Sequence, residues 1–190
     1  VLATQNLVKS FGALKPSDDI SIDLHPGEIH AVIGPNGAGK STLISQISGG
    51  LRPDSGRVLL GGRDVSHLGT EARARAGLGR TFQISALCME DSVLENAVLG
   101  AMGAEGGAFR FWRAALRTEA LLERAEEALE RVGLADERGT RCANLSHGQR
   151  RQLEVAVALT LKPQAFVMDE PMAGLGAGGS KQLTSFLDSL

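Results

Sequence analysis

Gly34-Pro35-Asn36-Gly37-Ala38-Gly39-Lys40-Ser41 decides the reading of this chain. The stretch fits G-x-x-x-x-G-K-[ST], and its flanks suit that pattern. Ile29-His30-Ala31-Val32-Ile33 precedes it as a short apolar run, and Thr42-Leu43-Ile44-Ser45-Gln46-Ile47 follows as the first turns of a helix. A strand–loop–helix context turns the match into a physical expectation. Gly34, Gly37 and Gly39 let the backbone curl until successive N–H groups point inward as an anion nest. The following helix adds the positive end of its dipole. Lys40 would reach the β- and γ-phosphates of a nucleotide, and the Ser41 hydroxyl would ligate Mg²⁺.

The 190 residues suffice for one substantial core with a subdomain. Hydrophobic residues make up 43% and charged residues 22%, ordinary for a globular domain. A net charge of −2 gives no footprint for broad nucleic-acid affinity. Cys88 and Cys142 lie far apart in sequence and in no metal-like spacing, so both are expected as reduced thiols. No run approaches the ~18 apolar residues that span a bilayer. Val1-Leu2-Ala3-Thr4 lacks a charged leader before an apolar block, so no secretory signal is expected.

Leu2–Lys9 reads as a strand, and Ile20, Ile22 and Leu24 alternate as in a half-buried one. Residues 28–33 are nearly continuously apolar, as in a buried central strand. The helix after Lys40 should stop at Gly49-Gly50. Arg57–Leu60 reads as a further strand and Thr70–Ala76 as a short helix. From about Ile84 the texture becomes helical. Ser92-x-x-Glu95 is a capping box opening a helix to about Met102. A longer helix is expected over Phe109–Val132, with Leu122, Ala125, Leu129 and Val132 on its apolar face and Gly133 as its stop. Ser146-x-x-Gln149 is a second capping box, opening a helix to about Leu161 that Lys162-Pro163 ends. Ala165–Met168 reads as a buried strand that delivers Asp169-Glu170 at its carboxyl end, where ligands of open α/β sheets gather. Asp169 would hold Mg²⁺, and Glu170 would orient or deprotonate a water attacking the γ-phosphate.

Gly34–Ser41, Thr81-Phe82-Gln83, Leu145-Ser146-His147-Gly148-Gln149 and Met168-Asp169-Glu170-Pro171, in this order and spacing, resemble the ATPase domain of ABC (ATP-binding cassette) transporters over essentially the whole chain. The resemblance implies an α/β P-loop NTPase fold, with a RecA-like core, an N-terminal antiparallel β layer and an inserted α-helical subdomain. The expected partition is 1–83 for the first part of the core with the β layer, 84–145 for the helical subdomain and 146–190 for the signature helix and an incomplete second part of the core. ATP and Mg²⁺ are the implied cofactors. Asn36, Ala38 and Thr42 join Gly34, Gly37, Gly39, Lys40 and Ser41 around the phosphates. Phe11 would stack on adenine. Gln83 would sense Mg²⁺ and the γ-phosphate. Ser146, His147, Gly148 and Gln149 would meet the γ-phosphate of ATP held by a second ATPase subunit, identical or paralogous. Lys40, Gln83 and Glu170 would be catalytic, and Ser41, Gln83 and Asp169 would surround the metal.

Phe11-Gly12-Ala13-Leu14, Gly77-Leu78-Gly79-Arg80-Thr81-Phe82-Gln83, Val93-Leu94-Glu95-Asn96 and Asp169-Glu170-Pro171-Met172-Ala173-Gly174-Leu175 are further similar to the Liv-type ATPases of branched-chain amino acid importers. That likeness implies transmembrane permease subunits as partners, an extracytoplasmic solute-binding protein acting through them, no nucleic acid, and a peripheral place on the cytoplasmic face of the inner membrane. The alternatives are a non-transport ABC ATPase of DNA maintenance or translation, and a nucleotide-binding module without hydrolysis. Against the first, Lys40 and Ser146 are only 106 positions apart (146 − 40) with no sustained heptads. Two positions depart from the family pattern: His147 stands where glycine is usual, and Gly176 where Asp or Asn is common. The family's switch histidine lies about thirty residues past the glutamate, whereas this chain ends twenty past Glu170 (190 − 170). The expectation is a C-terminally truncated sequence.

Overall fold

The computed structural model describes residues 1–80, 87–104, 118–169 and 184. Gln83, with Thr81 and Phe82, lies outside them. So do Glu170, Pro171, Gly176 and the first part of the long helix expected from Phe109. The chain divides into two compact units, one of Val1–Arg80 and Pro163–Asp169, the other of Thr81–Lys162 and Glu170–Leu190.

The first unit opens with β1 (Leu2–Phe11) and β2 (Leu14–Leu24). They pair antiparallel, Leu2 opposite Leu24 and Phe11 opposite Leu14. β3 (Ser55–Leu60) and β4 (Arg63–Asp64) complete a four-stranded sheet in the order β2-β1-β3-β4. The ladder slips near Asn6 and Asp19, both at positive φ (49° and 57°). The Asn6 side-chain amide donates to Asp19 Oδ1 (2.6 Å), which fastens the two irregular points together.

α1 (Lys40–Ser48) begins at the glycine-rich loop and ends where expected, at Gly49, whose φ of 82° carries the chain out of the helix. Leu43 and Ile47, one turn apart, bury their side chains among Leu2, Leu7, Val58, Leu60 and Val65 of the sheet side. Such burials contribute about 1.5–3 kcal/mol each. α2 (Thr70–Arg75) follows, then β5 (Leu78–Arg80), which pairs in parallel with β6 (Ala165–Val167). The parallel register sets Leu78 against Ala165 and Arg80 against Val167. β6 thus reaches Asp169 at its carboxyl end, as expected, with Asp169 buried.

The run 28–33 is a correction. It forms no strand here, and Ile29, Val32 and Ile33 are 61%, 45% and 88% exposed. An apolar run becomes a buried strand only with strands hydrogen-bonded beside it and layers above and below. Among the described residues nothing pairs with this one.

The second unit is helical where described. α3 (Val93–Ala104), α4 (Glu119–Arg131) and α5 (His147–Leu159) pack on one another. Both capping boxes form. At α3, the Ser92 amide donates to Glu95 Oε2 (2.7 Å) and the Glu95 amide to Ser92 Oγ (3.2 Å). The Ser92 amide first, and then the Ser92 hydroxyl, hold the Glu95 carboxyl below its usual range. Gly100 on α3 is where that helix meets α5: a Cβ there would lie 2.8 Å from Thr160 Oγ1 and 2.9 Å from Val157 Cγ1. The long helix differs from expectation. Thr118 is extended (φ −89°, ψ 105°) and stands at the N-cap of a helix that starts at Glu119, so the expected helix is not continuous across Thr118. Threonine at that place favours a non-helical cap over a helix interior. Leu121 rather than Leu122 is buried, with Ala125, Ala128, Leu129 and Val132. Gly133 (φ 75°) is the stop, its amide donating to Glu130 O (3.0 Å).

Candidate functional site

The loop before α1 has the turn that its glycines imply. Gly37 and Gly39 have φ of 81° and 94°, conformations that side chains resist. The Ala38 amide donates to Pro35 O (3.2 Å), closing the bend, and the Leu43 amide donates to Gly39 O (2.9 Å), opening the helix. Gly39 caps α1 with no side-chain hydrogen bond, and the first turn carries no acidic residue. The first amides of α1 are therefore left as donors for an anion, at the positive end of the helix dipole. Residues Gly34 to Ala38 and Ser41 are exposed, so the concave side is open.

Lys40 folds over this loop. Its Nζ donates to Gly34 O (2.7 Å) and Pro35 O (2.8 Å). The ammonium sits beside the loop carbonyls at a cationic helix end, an arrangement that an incoming polyphosphate improves by replacing neutral acceptors with charged ones. Gly39 is also a point of closest approach: a Cβ on it would lie 2.2 Å from Pro16 O of β2. Only glycine lets the sheet edge seat against the loop there.

Phe11 ends β1, half of its surface exposed (52%), facing its cross-strand partner Leu14. Lys9 Nζ lies 5.4 Å from its ring centroid, within cation–π range. Asp54 anchors this edge: Oδ1 accepts from Lys9 Nζ (2.6 Å) and Oδ2 from the Ser10 amide (2.7 Å). The Lys9 contact first, then the Ser10 amide, hold its carboxyl below the usual range.

In the second unit, Ser146 caps α5 with both reciprocal bonds present: the Gln149 amide donates to Ser146 Oγ (3.3 Å), and the Ser146 amide to Gln149 Oε1 (3.0 Å). Gln149 Nε2 also donates to Glu137 Oε1 (3.2 Å). The Gln149 side chain is thus spent on shaping the helix start. Ser146 and His147 are exposed beside the first amides of α5, again a donor-rich end.

Of the expected site residues, the structure brings Gly34, Asn36, Gly37, Ala38, Gly39, Lys40, Ser41 and Thr42 together as one loop and helix start. Asp169 belongs to the same compact unit. Ser146, His147, Gly148 and Gln149 form a separate helix start in the other unit. Sequence reasoning passed over Asp54, Ser17, Gln46 and Arg73. Asp54 stands in a Pro-Asp-Ser-Gly turn, where the residue type already explains itself. Cys88 and Cys142 are both free; burial pushes the Cys142 thiol up, and the largely exposed Cys88 thiol is raised by the partial desolvation of its surroundings and by the neighbouring Asp91 carboxylate. Among the described residues no helix is long and apolar enough to cross a membrane.

The ABC transporter family profile matches residues 17–173. The probable branched-chain amino acid transport ATP-binding protein LivG of Methanocaldococcus jannaschii is 36% identical over 181 residues, which is 94% of this chain and 70% of that protein. The cobalt import ATP-binding protein CbiO of Rhodobacter capsulatus is 37% identical over 198 aligned positions, covering 100% of this chain and 65% of that one. The crystal structure of the ADP conformation of an ATP-binding cassette of an ABC transporter superposes with a TM-score of 0.85 at 33% identity, over 100% of this chain and 76% of that one. With the glycine-wrapped loop opening α1, these likenesses show that the chain belongs to the ABC transporter family, as an ATP-binding ATPase subunit of an importer.

Proposed function

We propose that this subunit drives import of branched-chain amino acids or closely related small solutes. The observation that supports it most is the loop Gly34–Ser41 with its free helix amides and the folded-over Lys40, in a chain resembling a LivG protein over 94% of its length. The cobalt importer's comparable identity is expected of an ATPase that never touches the solute.

In this reading the loop amides, the α1 dipole and Lys40 hold the β- and γ-phosphates, and Phe11 stacks on adenine. Ser41 and Asp169 offer a hydroxyl and a carboxylate oxygen, the hard donor set that suits Mg²⁺. That ion, when bound, offsets phosphate charge and fixes the triphosphate for in-line attack. Gln83 would sense Mg²⁺ and the γ-phosphate. Glu170 takes a proton from the attacking water. The water oxygen bonds to the γ-phosphorus as the bond to the β–γ bridging oxygen breaks, releasing ADP and inorganic phosphate. The α5 helix start at Ser146–Gln149 meets ATP held by a second ATPase subunit, so that two nucleotides lie between two head-to-tail chains. Permease subunits dock on the cytoplasmic side of the membrane and convey the signal of a solute-loaded binding protein. The partition 1–83, 84–145 and 146–190 assigns these tasks along the chain.

The test is reconstitution of the ATPase with its permease in liposomes. ATP hydrolysis should rise on adding binding protein loaded with leucine, isoleucine or valine. Stimulation by a sugar- or metal-loaded binding protein, with none by these amino acids, would sink the solute assignment. In the same assay, Glu170→Gln should trap an ATP-bound dimer. A monomer that hydrolyses at the wild-type rate contradicts the role of Glu170.

A further inference from the structure

α1 carries the phosphate loop at one end, and its other end is gripped by polar side chains inside an apolar core. Gln46, in the last turn of α1, is fully buried. Its Oε1 accepts the hydroxyl proton of Ser17, also fully buried, at 2.6 Å, and its Nε2 donates to Val8 O at 3.4 Å. One side chain of the helix thus reaches both β2 and β1. Arg73 of α2, almost without exposed surface, donates through Nη1 to Gln46 O and Ile47 O (2.6 Å each). Its Nε donates to Leu68 O (2.9 Å) and its Nη2 to Ser66 O (3.0 Å). The guanidinium meets four carbonyls and places a positive charge at the negative end of the α1 dipole. Ser17 directly follows Pro16, whose carbonyl abuts Gly39 in the phosphate loop. Adjacent residues of β2 therefore touch both ends of α1.

Apolar packing alone is tolerant of small slides and rotations of a helix, whereas buried hydrogen bonds accept one arrangement. A buried polar pair adds little net stability over an apolar pair of equal shape. Its consequence is register. We propose that Ser17, Gln46 and Arg73 are positioning residues for phosphate binding: they fix α1 at the one axial setting where the amides of the Gly34–Ser41 loop converge on a polyphosphate. The inference rests on the reading of that loop as the phosphate site. Misplacement of about 1 Å in such a constellation can lower its effectiveness by up to ~100-fold.

The experiment uses the full chain, ATP as the probe, calorimetric affinity, the ³¹P resonance of the bound β-phosphate, and thermal unfolding. Gln46→Met keeps the volume and removes the amide. It leaves the Ser17 hydroxyl orphaned, so both Tm and affinity fall, affinity by about tenfold. The double variant Ser17→Ala/Gln46→Met has no orphaned group there and should regain most of the Tm. Its ATP affinity should stay about tenfold weak and its β-phosphate resonance displaced. Ser17→Thr, which keeps the hydroxyl, should bind as the wild type. Recovery of affinity and resonance together with Tm in the double variant would overturn the proposal, because affinity would then merely follow stability. Lys40→Ala separates the two readings. Unchanged ATP affinity in Lys40→Ala overturns the phosphate site and the positioning role with it. Weakened affinity there, beside wild-type affinity in the double variant, overturns the positioning role alone.

Discussion

Alanine at Gly39 and alanine at Gly37 should differ sharply in their cost to the fold, although both glycines serve one loop. Both have positive φ, 94° and 81°. A Cβ in that region costs about 1–2 kcal/mol by itself. At Gly37 nothing lies within 4 Å of the added carbon, so the conformational cost is the whole effect. At Gly39 the same carbon would lie 2.2 Å from Pro16 O and 3.1 Å from Pro16 C. Both contacts are backbone, which cannot swing aside as a flexible side chain can. Overpacking of this kind adds about 1–3 kcal/mol. Gly37→Ala should therefore destabilise by about 1–2 kcal/mol and Gly39→Ala by about 2–5 kcal/mol. Urea unfolding of the two variants beside the wild type, with a common slope, reads the difference directly. Equal midpoints for the two variants would refute the reasoning, since the close seat of β2 against the loop would then have no energetic presence. ATP affinity should fall in both, because each residue bends the amide nest.

Three other expectations are local. Ser146→Ala should cost about 0.5–2 kcal/mol through loss of the α5 cap, measured by thermal unfolding, and an unchanged midpoint contradicts it. Gly100→Val should overpack the α3–α5 contact by about 1–3 kcal/mol, while Gly103→Ala, where an added Cβ meets nothing, should leave the unfolding midpoint near the wild type. Asp54 has a carboxyl held low by Lys9 and the Ser10 amide, so its folded pKa lies below the unfolded one. Its contribution is therefore present above the unfolded value near ~3.9 and fades as pH falls through the lower folded value. Asp54→Asn should lower stability at neutral pH, and the gap from wild type should close in acid. A gap that persists at the acid end contradicts the pairing.

What could be read from residues alone followed from local chemistry. The start of α1 at Lys40, its stop at Gly49, the caps at Ser92 and Ser146, and the strand leading to Asp169 are each set by a few neighbouring residues. The failures depend on partners remote in sequence. Residues 28–33 have the composition of a central strand, but pairing requires a neighbour, and composition does not reveal which segment supplies it. β5 has only three residues, with a glycine inside it and another before it, too short a run for alternation to mark a strand. Arg73 belongs to a Thr-Glu-Ala-Arg-Ala-Arg helix that looks like a solvated surface, yet it is the largest fully buried side chain described. Ser17 and Gln46 are individually unremarkable polar residues. Only the fold, by joining β2 to α1, shows that each satisfies the other. At the site, the turn of the Gly34–Ser41 loop was legible because its glycines and lysine lie within eight successive positions. Asp54 escaped notice because its role is to hold Lys9, forty-five positions away, beside Phe11.

In the proposed function, the Gly34–Ser41 loop and Asp169 hold one metal-bound triphosphate between them. A crystal structure grown with Mg²⁺ and a non-hydrolysable ATP analogue addresses it most directly. It should show β- and γ-phosphate oxygens within hydrogen-bond distance of the loop amides and Lys40, with the metal between the Ser41 hydroxyl and the Asp169 carboxylate, directly or through its waters. A triphosphate seated elsewhere, or a metal with Asp169 beyond the reach of its waters, would contradict it.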